Sequence, residues 1–146
     1  MQADRPPYSL QERIPSTREE IDRVMSTCLE QLEAHGHDDA GVFAIRLAME
    51  EALSNAMSHG NGGDASKLIS IEVEITSGQF TASVADEGPG YDPVHVPDPT
   101  ADENLSIASG RGLALIRSFM TEVTLVPPGN CIKMRYVPGG PSCASS

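Results

Sequence analysis

Glu51 and Asn55 stand four residues apart in the run Glu50-Glu51-Ala52-Leu53-Ser54-Asn55. On a helix that spacing sends both side chains out from one face. A carboxylate beside a carboxamide oxygen suits a hard cation and an activated water or hydroxyl. Glu50 leaves the helix about 100° further round and reads as solvated. An exposed polar helix face would explain the same pair taken alone. A second group, Asp86-Glu87-Gly88-Pro89-Gly90, directly follows a β-branched run. An aspartate at a strand end can accept a hydrogen bond from an amino group, and glycines let a flat ligand approach the backbone. The same residues also make an ordinary Gly/Pro turn with an Asp cap. A third group, Ser109-Gly110-Arg111-Gly112-Leu113, precedes an apolar-periodic stretch. Unpaired N–H groups at a helix start bind phosphate, and Arg111 adds a fixed positive charge there. Simple helix capping is the competing explanation.

Other chemistries lack their residues. Lys67 is followed by Leu and Lys133 by Met, so no GxxxxGK[ST] phosphate loop exists, and no GxSxG nucleophile elbow occurs. His35, His37, His59 and His95 have no cysteine or second histidine at zinc-finger spacing. Cys28, Cys131 and Cys143 form no CxxC pair and read as reduced thiols of a reducing compartment. The formal net charge is −11, from 10 basic and 21 acidic residues, with no basic cluster. Direct contact with a nucleic-acid backbone is therefore not expected. No apolar run approaches the ~18 residues of a membrane-spanning helix. The charged and proline-containing first residues do not read as a signal peptide, so the expectation is a cytoplasmic protein without membrane attachment.

The elements that must hold these groups follow from periodicity. A chain of 146 residues is one domain's worth. Residues 1–15 contain three prolines and an edge strand near Tyr8–Ile14. Ser16 and Thr17 offer an N-cap, with Glu19 and Glu20 three residues on. Ile21, Val24, Met25, Cys28, Leu29 and Leu32 then make the apolar stripe of a helix over 17–34, closed by His35-Gly36. Asp38 or Asp39 caps a second helix, whose buried stripe is Val42, Ile45, Met49, Ala52, Leu53 and Ala56 and which stops at Gly60-Asn61-Gly62-Gly63. Leu68–Thr76 and Gln79–Ala85 read as a hairpin turning at Ser77-Gly78. The proline-rich stretch after Gly88 has no periodicity, which in a compact domain points to a functional loop. A short helix over 112–120 presents Leu113, Ile116 and Met120 on one face. Glu122–Val126 and Cys131–Val137 form a last hairpin, and residues 138–146 a flexible tail. The fold class is α+β: a two-layer sandwich whose mixed, mostly antiparallel sheet is covered on one face by helices.

Together and in this order, the three groups resemble the GHKL ATP-binding superfamily, the Bergerat fold of gyrase, histidine kinases and MutL. Glu51-x-x-x-Asn55 is similar to its N box, Asp86-x-Gly88-x-Gly90 to its first glycine box and Gly110-x-Gly112-Leu113 to its second. Residues 91–109 correspond to its ATP lid, and 16–137 to the whole domain.

Length selects the branch. In 146 residues the second transducer domain of gyrase- and MutL-like enzymes is not expected. The first histidine, His35, is only 16 residues before Glu51, too near for the phosphoacceptor hairpin of a histidine kinase. The small stand-alone branch resembled here is that of the anti-sigma factor serine/threonine kinases (RsbW-like), through EEALSNAMSHGN, DEGPGYDP and ENLSIASGRGLALIRSFM. The resemblance implies ATP and Mg²⁺ as cofactors. It implies Glu51 as general base toward a serine of a STAS-domain antagonist, and Asn55 as the Mg²⁺ ligand. Asp86 would contact adenine, with Gly88 and Gly90 beside it, and Gly110, Arg111, Gly112 and Leu113 would cradle phosphates. It implies Arg23 as a partner-binding residue, sequestration of a sigma factor when the antagonist is not engaged, and a homodimer. The other reading is a non-catalytic module that uses ATP to select and hold a protein partner.

Overall fold

The computed structural model describes residues 6–88, 111–126 and 130–140. Its elements are β1 (Tyr8–Pro15), α1 (Arg18–Ala34), α2 (Asp39–Asn55), β2 (Leu68–Ile75), β3 (Phe80–Ala85), α3 (Arg111–Phe119), β4 (Glu122–Val126) and β5 (Cys131–Tyr136), with a π-helical turn over Ala56–Gly60 extending α2. The strands form one sheet in the order β1-β2-β3-β5-β4. All four pairings are antiparallel, so the parallel component expected in a mixed sheet does not occur among the described strands. Short hairpin connections account for β2–β3 and β4–β5, whereas β1–β2 and β3–β5 pair across longer, helix-containing connections; β2 turns into β3 at Thr76–Gln79, where the Thr76 hydroxyl accepts from the N–H groups of Gly78 and Gln79.

Strand alternation sorts the sheet into two faces. Ile14 of β1, Ile69, Ile71, Val73 and Ile75 of β2, Phe80, Ala82 and Val84 of β3, and Ile132 and Met134 of β5 are buried. They meet Ile21, Val24, Cys28 and Leu32 of α1, Ile45, Met49 and Leu53 of α2, and Ile116 and Met120 from the third helical segment in one core. Each fully buried branched side chain contributes ~1.5–3 kcal/mol relative to exposure, which decides which face the helices cover. The opposite face carries Ser70, Glu72 and Glu74 of β2, Thr81 and Ser83 of β3, and Lys133 and Arg135 of β5, lining an open trough. The structure is therefore a two-layer α+β sandwich.

Local signals place the helices. The Thr17 hydroxyl accepts from the Glu20 N–H at α1, and the Asp38 carboxylate from the Gly41 N–H at α2. Val42 is only partly buried, whereas Ala44 and Ala48 join the buried stripe of α2. The α2 ladder then widens: Asn61 N–H donates to Ala56 O and Gly63 N–H to Met57 O. Gly62 and Gly63 take φ of 62° and 75°, the left-handed conformation that ends the helix. Beyond β5, residues 137–140 close a turn in which Gly140 N–H donates to Val137 O. The rest of the expected tail and the whole of 91–109 lie outside the described residues. Among the described residues no helix is long and apolar enough to cross a membrane.

Candidate functional site

The last turn of α2 supplies the first half of the site. Glu51 and Asn55 do share one face, and they touch: the Asn55 amide donates to the Glu51 carbonyl at 2.7 Å and to the Glu51 carboxylate. Asn55 is 6% exposed, so this face is not the solvated polar face that the pair would make by itself. A cation bound here would meet a carboxamide beside a carboxylate that is already held in place.

The Glu50 side chain is solvent-exposed, as expected, but it is also paired. Arg18 at the start of α1 grips it with both terminal nitrogens, at 2.6 and 2.7 Å, and Ser54 donates to it at 2.9 Å. The Arg18 guanidinium holds the Glu50 carboxyl below its usual range. Glu50 thus ties α2 to α1, while Glu51, one residue on, faces Asn55.

The second half of the site is the turn after β3. A backbone bond from Asp86 N–H to Asn130 O and a bond from the Asn130 side-chain amide to Asp86 O, both 2.9 Å, fix it to the start of β5. The Asp86 carboxylate accepts from Gly88 N–H at 2.8 Å. Burial raises its pKa above the ordinary aspartate value, and the Gly88 bond opposes that rise. A carboxylate held against desolvation gains from a donor that reaches it, such as an amino group.

Glycine is required where the halves meet. A Cβ on Gly60 would stand 2.1 Å from the Asp86 carboxylate, and one on Gly88 would stand 2.1 Å from Gly60 O. The π turn of α2 and the Asp86 turn therefore pack backbone to backbone. Asn61 joins them from the side, its Oδ1 accepting from Glu87 N–H at 2.7 Å. Residue spacing had marked Gly60 and Asn61 only as a helix stop. The signal available was a polar residue flanked by glycines directly after an apolar-periodic helix.

Of the other expected site residues, Gly90 and Gly110 lie outside the described residues. Arg111, Gly112 and Leu113 form the first turn of α3, and Leu113 packs partly buried against the core. The Phe119 ring meets Phe43 of α2 edge-on at 6.0 Å, which docks α3 on α2. Arg23 stands apart, paired with Glu12 of β1 at 2.7 Å and with Glu20 at 2.9 Å.

The residues present fit a magnesium nucleotide. Oxygen donors on one helix face suit a hard cation. A partly buried carboxylate, on a turn packed directly against Gly60, suits a planar base bearing an amino group. The opening turn of α3 suits phosphate.

Comparison with known proteins agrees with this arrangement. The family model described as "Histidine kinase-like ATPase domain" matches residues 14–136. A protein named anti-sigma F factor from Geobacillus stearothermophilus is 34% identical over 82 residues, 54% of this chain and 56% of that protein. The serine/threonine-protein kinase BtrW of Bordetella bronchiseptica is 32% identical over 80 residues, 53% of this chain and 56% of that protein. An anti-sigma F factor of Clostridium botulinum is 31% identical over 78 residues, 52% and 54% of the two chains. The chain thus spans about half the length of the curated relatives it matches. A crystal structure of the RsbU and RsbW domains of a Mycobacterium tuberculosis protein superposes with a TM-score of 0.60, covering 90% of this chain and 31% of that one at 21% identity. At that identity the likeness concerns the fold.

Proposed function

The chain belongs to the histidine kinase-like ATPase domain family, and on that premise we propose that it is a MgATP-dependent serine/threonine protein kinase acting as an anti-sigma factor. Its substrate would be a serine or threonine hydroxyl on a STAS-domain antagonist in the cytoplasm. The observation that carries this reading is the Glu51–Asn55 contact, which sets a carboxylate beside a carboxamide on one helix face. A module that only bound nucleotide would have no use for that carboxylate.

ATP is the substrate that supplies the phosphoryl group, and Mg²⁺ offsets the charge on its phosphates. Asn55 holds the metal through Oδ1. Asp86 accepts from the purine amino group, with Gly88 and Gly90 as its companions in the ATP-binding loop; Gly88 lets the turn that carries Asp86 pack directly on Gly60. Gly110, Arg111, Gly112 and Leu113 hold the phosphates, with Arg111 as the fixed charge. Glu51 takes the proton of the attacking hydroxyl as its oxygen bonds to the terminal phosphorus and the bond to the leaving ADP oxygen breaks. Residues 91–109 cover the nucleotide and exclude water.

The remaining parts of the proposal concern partners. The relatives' name, anti-sigma F factor, supports a sigma factor as the second protein bound. Arg23, pre-paired with Glu12 and Glu20, is the proposed partner contact. The sheet face that no described helix covers, with carboxylates on β2 and cations on β5, supports a homodimer, since a two-fold interface must be self-complementary. Incubation with labelled ATP, Mg²⁺ and STAS proteins of the same genome tests the activity. Label on the STAS serine supports it, and label on none of them contradicts it.

A further inference from the structure

We propose that Asn61 is the positioning residue for purine recognition: it fixes the Asp86 turn against Gly60 and so sets where the Asp86 carboxylate meets the amino group of the base. The inference rests on the reading of Asp86 as the base contact.

Asn61 is 2% exposed, and burial of an amide is unfavourable unless its groups are paired. All of its partners are identified by chemistry. Nδ2 donates to Ser16 Oγ at 2.7 Å and to Leu68 O at 3.1 Å. Oδ1 accepts from Glu87 N–H at 2.7 Å. Two oxygens on one side and an N–H on the other fix the orientation of the amide. One side chain therefore joins Ser16, which lies between β1 and the N-cap of α1, the first residue of β2 and the turn after β3. Ser16 continues the chain of bonds to Lys67 O at 2.7 Å.

Only one of these contacts reaches the candidate site. Glu87 lies between Asp86 and Gly88, and its N–H is held by Asn61 from the side. From below, the turn rests on Gly60, with no space for even one added carbon on Gly60 or Gly88. Support from Gly60 limits how close the turn can come, and the Asn61 bond prevents it from lifting. Without the Asn61 oxygen, Glu87 N–H loses its partner and the carboxylate loses its fixed height. A hydrogen bond to a charged acceptor depends on donor–acceptor distance and angle, so recognition of the amino group should suffer before phosphate binding does.

The test compares two nucleotides that differ only in that amino group, ATP and purine riboside triphosphate, by their dissociation constants with Mg²⁺. The parent should prefer ATP by about tenfold or more, the scale of one hydrogen bond to a charged group. Asn61→Ala should shrink the preference to under about threefold, still binding both through the phosphates. Ser16→Ala removes a partner of Nδ2 in the same buried network but leaves the Glu87 bond, so it should keep the parent's preference. Gly60→Ala pushes the carboxylate directly and should abolish the preference by an independent route, which serves if Asn61→Ala fails to fold. Full preference retained in folded Asn61→Ala or in Gly60→Ala would overturn the positioning role. So would equal losses in Asn61→Ala and Ser16→Ala, because the network would then be merely structural. A parent without preference would instead refute the reading of Asp86, and this inference with it.

Discussion

The Asn55 amide reaches back one helical turn to both the carbonyl and the carboxylate of Glu51. The two residues therefore act as a unit: the amide nitrogen orients the carboxylate, and carboxamide and carboxylate stand side by side. Asn55→Ala should weaken nucleotide binding by about tenfold when Mg²⁺ is present, the scale of one charge-assisted contact. In the presence of a chelator the two proteins should bind alike. Titration calorimetry with and without Mg²⁺ checks this. Equal affinity of parent and variant with Mg²⁺ would contradict the metal assignment.

Asp86 should show a conflict between stability and binding. Its folded pKa is raised by burial, so the ionised form is penalised in the folded protein. The penalty is present above the folded pKa and vanishes as pH falls below the ordinary aspartate value of about 3.9. Asp86→Asn keeps an oxygen for the Gly88 N–H and removes the charge. It should raise the melting temperature of the nucleotide-free protein at neutral pH, with the gain fading toward pH 3–4. The same variant should bind ATP weakly. A melting temperature lowered at pH 7 would show that the carboxylate is stabilising.

Glu50 and Glu51 should separate cleanly. Arg18 lowers the pKa of Glu50, so their pairing stabilises the fold at neutral pH and is lost as acid protonates the carboxylate. The pair is exposed on both sides, 47% for Arg18 and 40% for Glu50, so it is worth ~0–1 kcal/mol. Glu50→Gln should therefore shift the urea midpoint slightly and leave phosphorylation intact. Loss of activity in this variant would mean that the general base is Glu50.

The legible part of this protein was the part that repeats. Ile21, Val24, Met25, Cys28, Leu29 and Leu32 announce α1 because burial follows the 3.6-residue period; five of the six are buried and Leu29 is partly buried. Ile69, Ile71, Val73 and Ile75 announce β2 in the same way. Glu51 and Asn55 were legible as a pair because four residues make one helical turn. The Arg18–Glu50 grip was not, because it joins residues 32 positions apart on two helices, and no local period encodes it. Asn61 was hidden for the same reason. Its partners are 45, 7 and 26 residues away, and an asparagine between glycines reads locally as a turn. Burial of that amide is a property of the packed fold alone.

The most direct test is phosphoryl transfer by Glu51→Gln. The substitution keeps the size and polarity of the side chain, and its amide oxygen can still face Asn55. It cannot take up a hydroxyl proton near neutral pH. A general base contributes ~10²–10⁴-fold to a transfer rate, and an interaction made in the transition state should leave ground-state binding alone. The measurement is single-turnover transfer of labelled phosphate to a STAS partner, with MgATP affinity determined on the same sample. The account predicts near-normal affinity and a rate reduced by about a hundredfold or more. A variant that phosphorylates at the parental rate, or that fails to bind MgATP at all, would contradict it.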